Sequence, residues 1–383
     1  MRRAWIARGN GMDFRLSEVQ ALTRDMVREF VDKEVAPRAA RTDEERTFPV
    51  ETIRRMAELQ LLGLLAPQEC GGAGVDTITF AIAVEELARA CASTARVVGA
   101  HNALGILPIA AFGSEEQKAS LLPALASGQT LGTLALLDSG AGLDLSTLRT
   151  TAAREGDGFR ITGKKLFVPM ASEAGVFIVL ATTEKGPTLF VVERGDGVAL
   201  GEREELLGLR GAGIGPVEFS AHVPVANMIG PEGGASRILE SVLAVDGIGL
   251  AAASVGVSRA AIEASVGYAK IRVQFGQPIA KFQAIQTMLA EMAIETEATR
   301  LLVYRAAFAR DNGEDIRMAA AMARAHAADS SVRVGNKAVQ VHGGVGYTKE
   351  MPVERYYRDA MALAVYPSPP DSHRLAVAAE LLK

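Results

Sequence analysis

Arg272 stands four residues before Gly276, a pairing suited to phosphate. The guanidinium offers a planar fork of donors, and glycine lets a ligand come close to the backbone. Alone, an arginine in Arg272-Val273-Gln274-Phe275-Gly276 would read as a surface residue at a helix end. A second polar, glycine-bearing group lies downstream in Gln340-Val341-His342-Gly343-Gly344. His222, His326 and His373 lack the spacing of a metal site or a catalytic triad, and Cys70 and Cys91 lack metal-ligand spacing, so no metal is expected. Glu115-Glu116 follows Gly113-Ser114 and reads as the solvated start of a helix rather than an acid–base pair.

Three segments near the C-terminus extend this pattern. Gln340 to Tyr347 reads Q-V-H-G-G-V-G-Y; Pro352-Val353-Glu354-Arg355-Tyr356-Tyr357-Arg358-Asp359-Ala360 follows, then Val365-Tyr366-Pro367-Ser368-Pro369-Pro370. They resemble the end of an acyl-CoA dehydrogenase, which usually reads Q-x-H-G-G-x-G-Y, P-x-E-R-x-x-R-D-A and I-Y-E-G-T. Arg272 to Ile279 with Phe282-Gln283 is similar to the family's R-x-x-F-G-x-P-(I/L) segment. The resemblance covers about Met12 to Leu382. It implies FAD as cofactor, with Arg272, Phe275, Gln283, Gln340, Gly343 and Gly344 around its adenosine diphosphate part. In that family the flavin lies mainly on the neighbouring subunit, so a homodimer or homotetramer is implied, with electron-transfer flavoprotein as the electron acceptor.

On the flavin side the chain departs from the pattern. Leu136-Leu137-Asp138-Ser139-Gly140-Ala141-Gly142-Leu143-Asp144 resembles T-E-P-G-A-G-S-D, but Leu137 replaces the flavin-side Thr and Leu143 the substrate-side Ser. Gly163 to Pro169 matches G-x-K-x-W-I-T with Phe167 for the Trp and Pro169 for the Thr, and Pro169 offers neither hydroxyl nor N–H. The resemblance places Tyr366 beside the substrate and Pro367 at the Glu that removes the substrate's α-proton. In the family that residue's own N–H also steadies the enolate-like charge, so Pro367 removes base and donor together. Loss of one such donor typically costs about 10² to 10³ in rate, and loss of the base roughly 10² to 10⁴ more. A simple copy of the usual mechanism is excluded.

A second base position occurs in isovaleryl-type and long-chain members, which read L-D-x-E-R. Leu243-Ala244-Val245-Asp246-Gly247 aligns with it, placing Asp246 at the Glu, Gly247 at the Arg, and Ala244 at an Asp that contacts the CoA arm. Asp246 is thus the candidate base, with Gly247 giving the substrate room; an Asp near a helix start facing water is the alternative. Three functions remain open: dehydrogenation of an acyl-CoA or other acyl thioester; a non-catalytic or half-site subunit in a heteromer with a catalytic paralogue; and a flavin monooxygenase-like branch, for which no residue speaks.

The elements that must position these residues follow from periodicity. From about Leu16 to Ser127 the pattern is helical, with Leu22, Met26, Val27, Phe30 and Val31 at three-to-four spacing and Pro37 close behind. From about Leu131 to Ile229 it turns to strands, with Phe159 and Ile161 alternating, and again Val217, Phe219 and Ala221. From Ser236 helices return, marked by Ile285, Met288, Leu289, Met292 and Thr296. The expectation is an α+β chain with the acyl-CoA dehydrogenase fold: an extension at 1–11, an α-helical domain at 12–130, a β-barrel-like domain at 131–235 and a four-helix bundle at 236–383.

Composition sets the outer bounds. Of 383 residues, 49% are hydrophobic and 22% charged, which excludes a disordered chain, and a net charge of -4 gives no nucleic-acid footprint. Val97 to Ser114 carries no charge but contains Gly105 and Pro108, so it reads as a helix interrupted by a turn, not a membrane span. Two cysteines without a partner motif fit the cytoplasm.

Overall fold

The computed structural model describes residues 15–140 and 144–383; Leu143 and the 1–11 extension lie outside them. The first part is helical: α1 (Glu18–Phe30), α2 (Ala36–Glu44), α3 (Val50–Glu58), α4 (Thr77–Ala90), α5 (Ala92–Ala100), α6 (Leu107–Phe112) and α7 (Glu115–Ala126). Ser17 starts α1 and Ser114 starts α7 through matching capping boxes with Gln20 and Gln117. Pro37 does not stop the first helix: a π-helical turn at Val31–Val35 links α1 to α2, where the proline falls in the first turn and has no helical bond to lose. Of the spaced apolar residues on this helix, Val27, Phe30 and Val31 are buried, whereas Leu22 and Met26 are exposed.

A π-helical turn at His101–Ile106 likewise joins α5 to α6, so the charge-free segment is one continuous helix and not one broken by a turn. Ala92–Phe112 and Ala235–Ile271 are long and apolar enough to cross a membrane, but most of each is buried inside the fold. Gly105 allows the first of them to touch the sheet, because a Cβ there would lie 2.4 Å from the Gly132 carbonyl oxygen.

The middle of the chain forms a nine-stranded sheet: β1 (Leu131–Ala135), β2 (Leu137–Asp138), β3 (Thr151–Glu155), β4 (Gly158–Val168), β5 (Ala174–Thr183), β6 (Gly186–Glu193), β7 (Val198–Leu200), β8 (Gly215–Pro224) and β9 (Met228–Ile229). The path β7-β8-β4-β3-β5-β6-β9 is joined by β1 parallel to β5 and β2 antiparallel to β4. Alternation sorts the side chains. Phe177 and Val179 of β5 join Phe159, Ile161, Val217, Phe219 and Ala221 in the sheet's own core, while Val176, Ile178 and Leu180 turn to the helical core. Asp138 and Lys165 form a fully buried pair at 2.9 Å, and Asp138 also accepts from the Arg149 and Thr150 backbones, pinning β2 beside β4. Burial pulls the Lys165 ammonium down to about 8, against the opposing pull of Asp138.

The last part returns to helices: α8 (Ala235–Ile271), then a hairpin of β10 (Val273–Gln274) and β11 (Gln277–Pro278), then α9 (Gln283–Asp311), α10 (Arg317–His342), α11 (Val353–Val365) and α12 (Pro370–Leu381). Four of these, α8 to α11, pack together as the expected bundle; α12 is a fifth helix laid against α10. At Gly256 a Cβ would sit 2.2 Å from the Glu85 carbonyl oxygen, so α8 crosses α4 with backbones in contact.

Candidate active site

The closeness of α8 to the first helical layer buries Asp246, which is 2% exposed and faces Arg96 of α5, 3% exposed. Arg96 Nη1 donates to Asp246 Oδ1 at 2.5 Å. The Arg96 guanidinium also lies over the Tyr366 ring, 5.2 Å from its centroid. Burial opposes the charge on Arg96, but Asp246 and Tyr366 outweigh it and hold the group above its ordinary value. Burial pushes the Tyr366 phenol up to about 12, and its hydroxyl donates to the Phe167 carbonyl at 2.7 Å.

Three cavities meet around this pair. The smallest, about 20 Å³, has Asp246, Arg96, Tyr366, Pro367, Leu137 and Pro169 in its wall. That is room for one or two water-sized groups. A second cavity of about 340 Å³ shares Leu137, Phe167, Tyr366 and Pro367 with it and continues over Leu206, Leu209 and Met361. A third, an open groove of about 480 Å³, shares Leu243 with the smallest and is lined by Ala244, Gly247, Arg324, Ser368 and His373. Asp246 and Pro367 therefore face one small space between the groove and an apolar chamber. Gly247 opens on the groove, and an added Cβ there would meet nothing within 4 Å.

Local backbone explains how the chamber is walled. The ladder between β4 and β8 slips between Lys165 and Val168, and in that bulge Phe167 takes φ +50, which leaves its ring 37% exposed at the chamber. Asp359 of α11 accepts from the Leu209 N–H at 2.8 Å and so fixes the loop that closes the other side.

The phosphate-type residues gather far from this point. Tyr268 stacks on His342 with ring centroids 4.4 Å apart, and Ala269, Ile279 and Val341 pack together, which draws the end of α8, the start of α9 and the end of α10 into one place. Arg272, Gln283, Gln340, Gly343 and Gly344 are exposed there. The Arg272 guanidinium has no partner among the described residues, and added Cβ atoms at Gly343 and Gly344 would meet nothing within 4 Å. Phe275 and Gly276 form the two-residue turn between β10 and β11 with φ of +50 and +79, and Phe275 projects 93% exposed. Along α8 the end of the helix beside Arg272 lies roughly 38 Å from Asp246, at 1.5 Å per residue.

Comparison with known proteins agrees with this layout along the chain. Residues 17–129 match the model of the acyl-CoA dehydrogenase N-terminal domain, residues 133–222 that of the middle domain, and residues 232–382 that of the C-terminal domain. The chain belongs to the acyl-CoA dehydrogenase family. It is 38% identical to the short-chain specific acyl-CoA dehydrogenase of Clostridium acetobutylicum, over 97% of this chain and 100% of that one. Against the human mitochondrial short-chain specific acyl-CoA dehydrogenase the identity is 37%, over 96% and 91%. The butyryl-CoA dehydrogenase structure from Megasphaera elsdenii superposes with a TM-score of 0.95 at 34% identity, covering 97% of this chain and all of that one.

This chain is an oxidoreductase of a family that binds FAD, and the residues past the end of α8 fit the diphosphate of that cofactor better than Leu137 and Pro169 fit its flavin. An unpartnered guanidinium, two amides and two open glycines form a donor set for a diphosphate. The chamber walled by Leu137, Phe167 and Met361 is apolar, and neither Leu137 there nor Pro169 in the adjoining small cavity offers a hydroxyl. Two groups at the centre were not singled out from sequence. Arg96 is the lone charge in the small-residue helix α5, and Arg324, 1% exposed, stands among the alanines of α10. Arg324 Nη2 donates to the carbonyls of Leu363 and, at 2.8 Å, of Tyr366, so it holds the chain entering Pro367. A charge placed among small apolar residues in a helix was the available signal.

Proposed function

We propose that this chain carries out α,β-dehydrogenation of a short acyl-CoA with Asp246 as the base. The observation that carries the reading is the small cavity that Asp246 and Pro367 share, between a groove open to solvent and the apolar chamber. In this reading the CoA arm lies in the groove past Ala244 and Gly247, and the acyl group passes Leu243 to reach Asp246. The carboxylate takes the α-proton as the α,β double bond forms. FAD, when bound, accepts the hydride from the β-carbon. Leu104, Leu134 and Leu136 also line this cavity, and its volume of about 20 Å³ favours a short chain. The relatives named as short-chain and butyryl-CoA enzymes support the same size class.

The separation of Asp246 from Arg272 supports an assembly of at least two chains, because one extended dinucleotide does not reach from one to the other on a single chain. We infer a homodimer or homotetramer in the cytoplasm, passing electrons to an electron-transfer flavoprotein. A second reading has one observation in its favour: Arg96 already holds Asp246, as a structural ion pair would. In that case the chain is the half-site partner of a catalytic paralogue. Anaerobic bleaching of the flavin by short acyl-CoAs separates the two. The dehydrogenase reading expects bleaching by the protein alone and none by Asp246→Asn, with flavin binding intact because Asn keeps the shape and loses the basicity. Bleaching that persists in Asp246→Asn places the base elsewhere, and bleaching only after a second subunit is added supports the heteromer.

A further inference from the structure

Arg324 brings a buried guanidinium to the groove, and most of its donors are idle. Nη2 donates to the Leu363 carbonyl and, at 2.8 Å, to that of Tyr366, but Nε and Nη1 are buried and meet no acceptor at hydrogen-bonding geometry. Buried donors are rarely left without a partner, because the desolvation they have suffered is then not offset. The acidic side chains that share the groove are engaged elsewhere: Glu380 pairs with Lys383 at 2.6 Å, and Glu240 approaches Arg317 at 3.8 Å. Ser368 and His373, also in its wall, are bonded to each other at 3.2 Å, and burial and Arg324 pull His373 down to about 4, so it is neutral at pH 7.

Position gives these donors a use. Arg324 lines the groove, and the groove meets the small cavity at Leu243. Through Nη2 the guanidinium is held against the peptide between Tyr366 and Pro367, two residues that wall that cavity. Pro367 has no N–H, so the donor that the family turns toward the enolate-like charge from this position is missing here. Asp246 and Arg96 both act on Arg324 through space, and burial pulls it down to about 10, which leaves it charged at pH 7. Two cations thus share one carboxylate. Once Asp246 takes up a proton that carboxylate is neutral, and a buried surplus of positive charge is costly unless negative charge forms beside it.

We propose that Arg324 supplies the missing donor: its idle N–H groups receive the thioester carbonyl oxygen and steady the enolate-like charge that develops there. As the α C–H bond breaks, the proton goes to Asp246 and the electron pair spreads to that oxygen. Negative charge therefore moves from Asp246 to a point beside Arg324 and is not lost from the site. The pair returns to form the α,β double bond as hydride leaves the β-carbon for FAD. Arg324 is in this sense a catalytic residue, and the chain dispenses with an N–H at position 367 because a fixed cation stands behind it.

The inference rests on the reading of this cavity as the acyl site, and the test separates the two. FAD-loaded protein is given 3-oxobutyryl-CoA, whose α-proton passes readily to a base, and S-butyl-CoA, a thioether of equal chain length with no carbonyl. Ultraviolet difference spectra at pH 7 give the ratio of enolate to keto form in the bound 3-oxobutyryl-CoA, and calorimetry gives the affinity for S-butyl-CoA. The wild type is expected to hold far more enolate than the free ligand shows. Arg324→Met should lower the ratio roughly 10- to 100-fold, the worth of a charge-assisted hydrogen bond, and leave S-butyl-CoA binding unchanged. Arg324→Lys, which keeps the charge with fewer donors, should fall between. An unchanged ratio in Arg324→Met overturns the inference and leaves the acyl site standing. Equal loss of both ligands in that variant assigns Arg324 to holding the chain before Pro367 and overturns its catalytic role. Binding of neither ligand by the wild type overturns both readings. If the Arg324 variants do not fold, the wild type still decides: a bound ratio no higher than that of the free ligand overturns the inference, and an excess of about 10-fold or more upholds it.

Discussion

At the scale of single residues, the geometry around Asp246 is set by a side chain of limited reach in a confined space. Glutamate in its place adds one methylene, and the adjoining cavity has about the width to take it. Asp246→Glu is therefore expected to retain flavin bleaching by whichever acyl-CoA the wild type oxidises, at an equal or higher rate; a fall of about 10² would mean that the carboxylate had been displaced from the α-carbon. Stopped-flow bleaching of the two proteins makes the comparison. Asp246 and Pro367 were legible in sequence because family motifs mark their positions, and the structure sets them in one cavity. Arg96 was legible only as a lone charge among small residues, not as a partner of Asp246. Its significance depends on the crossing of α5 and α8, a contact between residues 150 apart in the chain, and no local spacing encodes that.

At the scale of elements, the walls of the site are held by groups whose protonation differs between folded and unfolded chains. Burial raises Asp359 from 3.8 to about 6, while burial and Arg324 lower His373 from 6.5 to about 4. The signs differ. Between pH 4 and 6 the folded chain keeps a proton on Asp359 that the unfolded chain has lost, so this group reduces stability as pH rises. Between pH 4 and 6.5 the unfolded chain protonates His373 and the folded chain does not, so this group adds stability as pH rises and loses it as pH falls. Relative to the wild type, Asp359→Asn should steepen the rise of the unfolding temperature between pH 4 and 6, and His373→Gln should flatten it. Thermal melts across that range report both, and unchanged slopes would show that these groups titrate alike in the two states. The strands that carry the alternation, β8 above all, were readable because one face is buried and the other wet. The bulge that turns Phe167 outward was not, since it arises from the register between β4 and β8 rather than from either strand.

At the scale of the whole molecule, the switch from helices to strands and back was legible because periodicity changes where the layers change. The long helix α8 sets the plan: the candidate base in its first half and Arg272 just past its end lie roughly 38 Å apart, and in the proposed assembly each serves a different cofactor. Arg272→Ala should lower flavin content per chain after gel filtration, and unchanged occupancy would remove its phosphate role. That same separation has a genetic consequence. A chain lacking the base and a chain lacking the phosphate anchor carry defects that fall on different sites of a mixed pair. Co-expression of Asp246→Asn with Arg272→Ala should then restore activity that neither variant has alone, because one site in each mixed pair draws its anchor from the first chain and its base from the second. Two inactive alleles would complement each other within a single gene product, and the failure of such rescue would place both functions on one chain's own cofactor.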